Sequence, residues 1–97
     1  MPVYMIVEVE IRDGDLYAEY VDRVREVVER RGGRYLARSE EIVSLSGDWR
    51  PQRVVLIEFE SLERLRACFG SPAYRQLAPL RERATMSRAI VVRGDTA

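Results

Sequence analysis

Residues 32–61 read GGRYLARSEEIVSLSGDWRPQRVVLIEFES, and this stretch decides the fold. The paired glycines Gly32 and Gly33 end a helix, because the left-handed turn that commonly follows a last helical residue is unstrained without a Cβ. Two segments rich in β-branched and aromatic residues follow, joined by the turn-forming Gly47, Asp48, Trp49, Arg50 and Pro51. Ser61 then offers a side-chain oxygen to cap another helix. The reading is a strand hairpin flanked by helices. Arg38, Arg53 and Glu58 are charged residues within these strands, among neighbours patterned for burial, so any chemistry is expected here.

Upstream, Val3 to Ile11 alternates as a half-buried strand does, with Val3, Met5, Val7, Val9 and Ile11 on one face and Tyr4, Ile6, Glu8 and Glu10 on the other. Asp13, Gly14 and Asp15 supply a cap and negative charge for a helix running to about Arg31. Its Leu16, Tyr17, Tyr20, Val21, Val24, Val27 and Val28 recur at helical spacing and form one stripe towards the sheet. In the second strand Arg34, Leu36 and Arg38 are expected on one side and Tyr35 and Ala37 on the other. A bulge or break is expected at Ser39 to Glu41, with strand resuming over Ile42 to Leu45. The third strand, Arg53 to Phe59, puts Val55, Ile57 and Phe59 on one side and Val54, Leu56 and Glu58 on the other.

Downstream, a helix capped by Ser61 carries Leu62, Leu65, Cys68 and Phe69, breaks at Gly70 and restarts at Ser71 and Pro72. Pro79 predicts that this helix kinks or ends near Ala78, with Arg81 to Ala84 as one further turn. Met86 to Arg93 is the fourth strand, with Arg88, Ile90 and Val92 on one face, and residues 94–97 form a tail. Strand, helix, strand, strand, helix, strand is the ferredoxin-like βαββαβ order: an α+β fold with a four-stranded antiparallel sheet and its helices on one face. The other face then needs cover.

Ninety-seven residues make about one domain, 1–97, of a size where burial is marginal and self-association is a common remedy. A dimer is expected. Apolar residues at 46% and charged residues at 33% suit a globular protein, and no apolar run reaches the length of a membrane span. The N-terminus reads as a strand instead of a basic leader with an apolar centre, so no secretory signal and a cytoplasmic location are expected. Sixteen basic residues balance sixteen acidic ones, which argues against a nucleic-acid partner, since such binding rests on neutralising phosphates.

Every basic residue is arginine, and lysine and histidine are absent. There is accordingly no amine for a Schiff base and no imidazole for a proton relay, a metal or a Ser-His nucleophile. Cys68 is the single cysteine. It makes no internal disulfide or paired-cysteine metal site, and on an apolar helix face it reads as packing. The acidic pairs Asp13/Asp15 and Glu40/Glu41 read as a cap and a loop, so neither metal nor other cofactor is expected.

GGRYLAR at 32–38, GDWRPQRVVLIEFES at 47–61, SPAY at 71–74 and SRAIVV at 87–92 together resemble domain-of-unknown-function family 1330 of the dimeric α/β-barrel superfamily. The resemblance spans nearly the whole chain, and the motifs occur in the family's order. It implies a homodimer in which two four-stranded sheets face each other to close a barrel, with helices outside. It also implies that fold leaves function open, because the superfamily includes cofactor-free monooxygenases, isomerases, haem peroxidases and stress-responsive barrel proteins.

A carboxylate in a partly apolar cavity is driven towards its neutral form, which suits acid or base work near neutrality, whereas a neighbouring arginine restores the charge. On the functional reading Arg38 clamps an anionic or carbonyl oxygen of a small substrate while Glu58 moves a proton. Glu8, Trp49, Arg53, Tyr74, Arg88 and Tyr17 are the accompanying candidates for binding it. On the structural reading Glu58 is held by Arg38, Arg53 or Arg88 in an ion-pair network that fixes register and dimer. Tyr17, Tyr20 and Tyr74 point towards the sheet, where a phenol usually packs with its hydroxyl satisfied. Trp49 is a large apolar surface in a turn, expected to meet the partner subunit or lip a pocket. Two functions stay open. One is a metal-free isomerase, lyase or cofactor-independent oxygenase acting on a small carbonyl or aromatic compound. The other is a non-catalytic ligand-binding or accessory protein. An RNA-binding sheet is set aside, because the central strands present Glu8, Leu56 and Glu58 where exposed aromatics are needed.

Overall fold

The computed structural model describes residues 1–95. Four strands, β1 (Val3–Ile11), β2 (Arg34–Ser39), β3 (Arg53–Phe59) and β4 (Thr85–Arg93), form one antiparallel sheet in the order β2-β3-β1-β4. The helices are α1 (Gly14–Arg30), α2 (Leu62–Phe69), α3 (Pro72–Arg75) and α4 (Ala78–Ala84). This is the ferredoxin-like α+β arrangement. Of the tail, residues 96 and 97 lie outside the described part.

Alternation in β1 and β3 sets the layers. Val3 pairs with Phe59 and Met5 with Ile57, so the odd-numbered residues of both strands turn the same way, beneath the helices. There Val3, Val28, Phe59 and Cys68 are the largest fully buried side chains. Asp13 caps α1 by accepting from the Leu16 N–H at 3.1 Å. At the other end the Gly33 N–H reaches Val28 O at 2.9 Å, and the Gly32 N–H reaches Glu29 O at 3.2 Å, with Gly32 at φ 86. This paired closure of orphan carbonyls requires a left-handed residue at position 32, which is why a glycine stands there.

Three expectations are corrected. The strand does break off after Ser39, but the bulge in β2 falls earlier, between Tyr35 and Ala37. The extra residue, Leu36, reverses the alternation, so Arg38, opposite Val55, faces the helices with Tyr35, while Arg34, opposite Glu58, faces away. Ile42 to Leu45 is not strand. These residues lie in the long connection between Ser39 and Arg53, with no sheet neighbour to bond to, and Leu45 is 93% exposed. The helix restarted at Pro72 does end before Ala78, but Pro79 belongs to a new helix, in the first turn of α4, which spans Ala78–Ala84 and not only Arg81 to Ala84, and there its missing N–H leaves no bond unmade.

The opposite face of the sheet carries Tyr4, Ile6, Glu8, Leu56, Glu58, Arg88, Ile90 and Val92 and has no helix over it. Ile90 is 60% exposed. Among the described residues no helix is long and apolar enough to cross a membrane.

Candidate functional site

The sheet divides the eight residues singled out in the sequence into two groups of four. Arg38, Arg53, Tyr17 and Tyr74 meet on the helix side around one cavity. Glu8, Glu58, Arg88 and Trp49 gather on the uncovered face or at its margin. Arg38 and Glu58, expected to act together, are therefore not brought together. The bulge at Leu36 turned Arg38 to the helix side, and the unbroken alternation of β3 kept Glu58 on the other.

On the uncovered face both carboxylates are engaged. Glu8 Oε1 lies 2.7 Å from Arg88 Nε, and Trp49 Nε1 approaches the same oxygen at 3.5 Å. Glu58 Oε1 lies 3.0 Å from Arg34 Nη2, a partner that the sequence had not suggested. Hydrogen bonding to Glu58 also raises the Tyr4 phenol above its ordinary value. The Glu58 side chain retains 24% exposure, and the arginines of both pairs are far more open, so each pair is worth at most about 1 kcal/mol in the protomer.

The cavity on the helix side has a volume of about 130 Å³. Its floor is Met5, Val7, Val55 and Ile57 from the sheet, and its roof includes Val21 and Val24 from α1. Arg53 Nε donates to the Tyr17 hydroxyl at 3.0 Å, with the guanidinium carbon 5.6 Å from the Tyr17 ring centre. The Arg38 guanidinium carbon lies 4.5 Å over the Tyr35 ring. Stacking of this kind favours a cation without neutralising it. Neither arginine has an ion-pair partner among the described residues, and no Asp or Glu lines the cavity. Arg88 borders the cavity too, but its guanidinium is committed to Glu8.

Tyr20, read from the sequence as packing against the sheet, also lines the cavity, as do Tyr35 and Arg81, which were not singled out. Tyr20 was visible as part of the α1 stripe. Tyr35 and Arg81 were not: Tyr35 meets Arg38 only because the bulge after it turns Arg38 to its side, and Arg81 depends on the separate helix α4. The Tyr20 and Tyr74 hydroxyls lie 3.0 Å apart, and Arg81 Nη1 donates to Tyr74 at 3.2 Å. Burial, opposed by Arg38, pushes the Tyr35 phenol up to about 12, and burial pushes Tyr20 higher still. Cys68 is buried, and that burial raises its thiol, as suits packing over reactivity.

A pH dependence follows from the two phenols. Their folded values lie above the ordinary 10.0, so the folded chain holds these protons more tightly than the unfolded chain does. Their contribution to stability is complete below about pH 10; that of Tyr35 is lost as the pH rises towards about 12, and that of Tyr20 goes on falling beyond it. Chemical denaturation at stepped alkaline pH is expected to show this loss, and Tyr35→Phe is expected to reduce its slope. Equal slopes in the two proteins would remove Tyr35 from the account.

Solved structures place this geometry among known folds. A protein of unknown function from Rhodopseudomonas palustris superimposes with a TM-score of 0.83 at 24% identity, covering 99% of this chain and 84% of that one. SnoaB, a cofactor-independent oxygenase from Streptomyces nogalater, gives 0.73 at 10% identity over 99% of this chain and 95% of its own. A dimeric ferredoxin-like protein of unknown function from a Jannaschia species gives 0.73 at 12% identity over 96% and 99%. At these identities the likeness is one of fold. No protein of curated function matches the chain. The family model described as Domain of unknown function (DUF1330) matches residues 2–95, and the chain belongs to that family.

Proposed function

We propose that the protein binds a small anionic compound with a flat apolar body in the cavity between helices and sheet, with Arg38 and Arg53 as the anion subsite. The observation that carries this reading is the pair of guanidiniums, stacked on tyrosines and free of carboxylate partners, at the wall of an apolar space. An oxyanion placed there would pair with both guanidiniums through charge-assisted hydrogen bonds. The volume, about 130 Å³, is close to the ~150 Å³ apolar cavity that accommodates benzene in another protein, so one aromatic ring is the natural scale.

Chemically, arginines beside a dry pocket favour ionisation of an enol or phenol and stabilise the oxyanion formed. Metal-free isomerisation or direct oxygenation of a carbonyl or aromatic compound needs such an intermediate. The similar fold of a cofactor-independent oxygenase is in keeping with that. Proton transfer by Glu58 is not part of this reading, since its carboxylate lies across the sheet. A non-catalytic ligand-binding role uses the same residues in the same way, and turnover of a bound ligand distinguishes the two.

The protein is further proposed to act as a homodimer whose uncovered sheet faces meet. Relatives of this fold are described as dimeric. Here the same face presents Ile90, Val92 and Met86, which are exposed in the protomer, with Trp49 at its margin. Small-molecule binding at a cytoplasmic location completes the proposal.

Benzoate is a suitable first probe. Titration followed by amide chemical shifts is expected to move resonances of β2, β3 and α1. Arg53→Met is expected to weaken binding about ten-fold or more, the usual consequence of losing a charge-assisted bond. If neither benzoate nor substituted phenolates perturb residues of the cavity, the pocket reading is wrong.

A further inference from the structure

A second polar group occupies the same cavity, reached from the other side of the fold. Arg38 stands on β2, one edge of the sheet, whereas Arg81 stands on α4, which leads directly into β4 at the opposite edge. Arg81 Nη1 donates to the Tyr74 hydroxyl at 3.2 Å, its Nη2 being 4.0 Å from Glu82, and the Tyr74 and Tyr20 hydroxyls are 3.0 Å apart.

A proton count decides what this group can do. A guanidinium only donates, so the Tyr74 oxygen accepts from Arg81. The two phenols hold two protons, and one of them lies in the bond between the hydroxyls. The second has no acceptor among the described residues, whichever way that bond points. Tyr74 is 5% exposed and Tyr20 is half-buried. Either hydroxyl could donate in that bond; with the Tyr74 oxygen already accepting from Arg81, the chain Arg81 to Tyr74 to Tyr20 pairs the proton of the more buried phenol and leaves the Tyr20 O–H to the cavity. Burial keeps Tyr20 protonated well past the ordinary phenol range. At neutral pH it is a neutral donor, neither an anion nor a base.

We propose that the Tyr20 hydroxyl, oriented by Tyr74 and Arg81, binds an uncharged oxygen of the ligand and thereby selects a carbonyl compound. The inference rests on the reading of Arg38 and Arg53 as the anion subsite. Taken with it, it specifies the ligand class: a conjugated compound about one ring long, with an acidic oxygen at one end and a carbonyl at the other. Tyr20 is then a binding and specificity residue, while Tyr74 and Arg81 act through it by positioning.

The test compares ligands of equal shape. 3- and 4-acetylbenzoate carry the carbonyl, and 3- and 4-ethylbenzoate replace it with a methylene. Dissociation constants for the wild-type protein, by calorimetry or shift titration, are expected to favour one acetyl compound over its ethyl counterpart about five-fold, the scale of one net hydrogen bond. Tyr20→Phe is expected to bring that ratio, measured within the variant itself, to about one. Tyr74→Phe keeps the Tyr20 hydroxyl and is expected to retain part of the preference. Equal binding of acetyl and ethyl compounds by wild type overturns the inference and leaves the pocket reading intact. So does a preference that persists in folded Tyr20→Phe protein. If none of the four compounds binds although benzoate does, this inference is overturned and the pocket reading stands; if benzoate fails as well, both fail.

Discussion

Ile90→Asp is expected to turn a dimer into a folded monomer. The side chain is 60% exposed in the protomer, on the same sheet face as Ile6, to which it is paired, and as Val92. Nothing in the protomer depends on its being apolar, so circular dichroism and the thermal midpoint of the monomer fold should change little. In a two-fold interface the substitution counts twice. Each copy forfeits about 1.5–3 kcal/mol of apolar burial and also places a carboxylate in a dry contact where the resident Arg88 and Arg34 already have partners. The dissociation constant is accordingly expected to rise at least a hundred-fold, which light scattering at micromolar concentration would read as a halved mass. An unchanged mass would mean that this face is not where two copies meet. Arg38, Arg53 and Tyr17 line the cavity on the other side of the sheet from Ile90, so benzoate binding is expected to survive the dissociation within a few-fold.

The layers were legible in the sequence and the site only in part, and the difference has a physical origin. Strand and helix periods repeat over nine or seventeen residues, so one exception does not obscure them, and caps at Asp13 and Ser61 mark the helix starts with local chemistry. The site depends on single events. One extra residue in β2, Leu36, reverses the orientation of every residue after it, and no turn-forming residue at 36 announces it. Arg38 was therefore placed with Glu58 when its neighbours are Tyr35 and the cavity. Likewise Ile42 to Leu45 has the composition of a strand but no neighbour to pair with, and composition does not report the partner. The partnership of Glu58 with Arg34 follows from the same parity: Arg34 lies before the bulge and stays on the carboxylate's side. Tyr17 and Tyr74 were recognised as pointing inward, but the hydroxyl contact between Tyr20 and Tyr74 joins residues 54 apart in the chain, a distance over which periodicity carries no information.

Gly33→Ala is expected to be the most destabilising single-methyl change in the chain. A Cβ at this position would lie 2.4 Å from Val28 Cγ1 and 2.8 Å from Phe59 Cζ, both on side chains with no exposed surface. Neither can yield easily. Valine is stiff about its one torsion and sits on a helix, and the Phe59 ring is held edge-on against Phe69, centroids 5.9 Å apart. Overpacking of this kind costs about 3 kcal/mol, which in a domain of this size lowers the thermal midpoint by roughly 12–24 °C. The neighbouring Gly32 separates space from conformation. It has φ 86 but nothing closer than the Arg64 Nη1 at 4.0 Å, so Gly32→Ala pays only for a left-handed backbone, about 1 kcal/mol. Denaturant titration of the two variants is expected to rank them in that order, and equal losses would show that the Val28 and Phe59 contacts relax. Any movement of Phe59 also passes to Phe69 and from there to Tyr74, whose ring meets Phe69 edge-on at 4.8 Å and whose hydroxyl holds Tyr20. Gly33→Ala protein that remains folded is therefore expected to lose ligand affinity as well, although residue 33 does not line the cavity, because the fit of the helix end against the sheet sets the position of the phenols inside it.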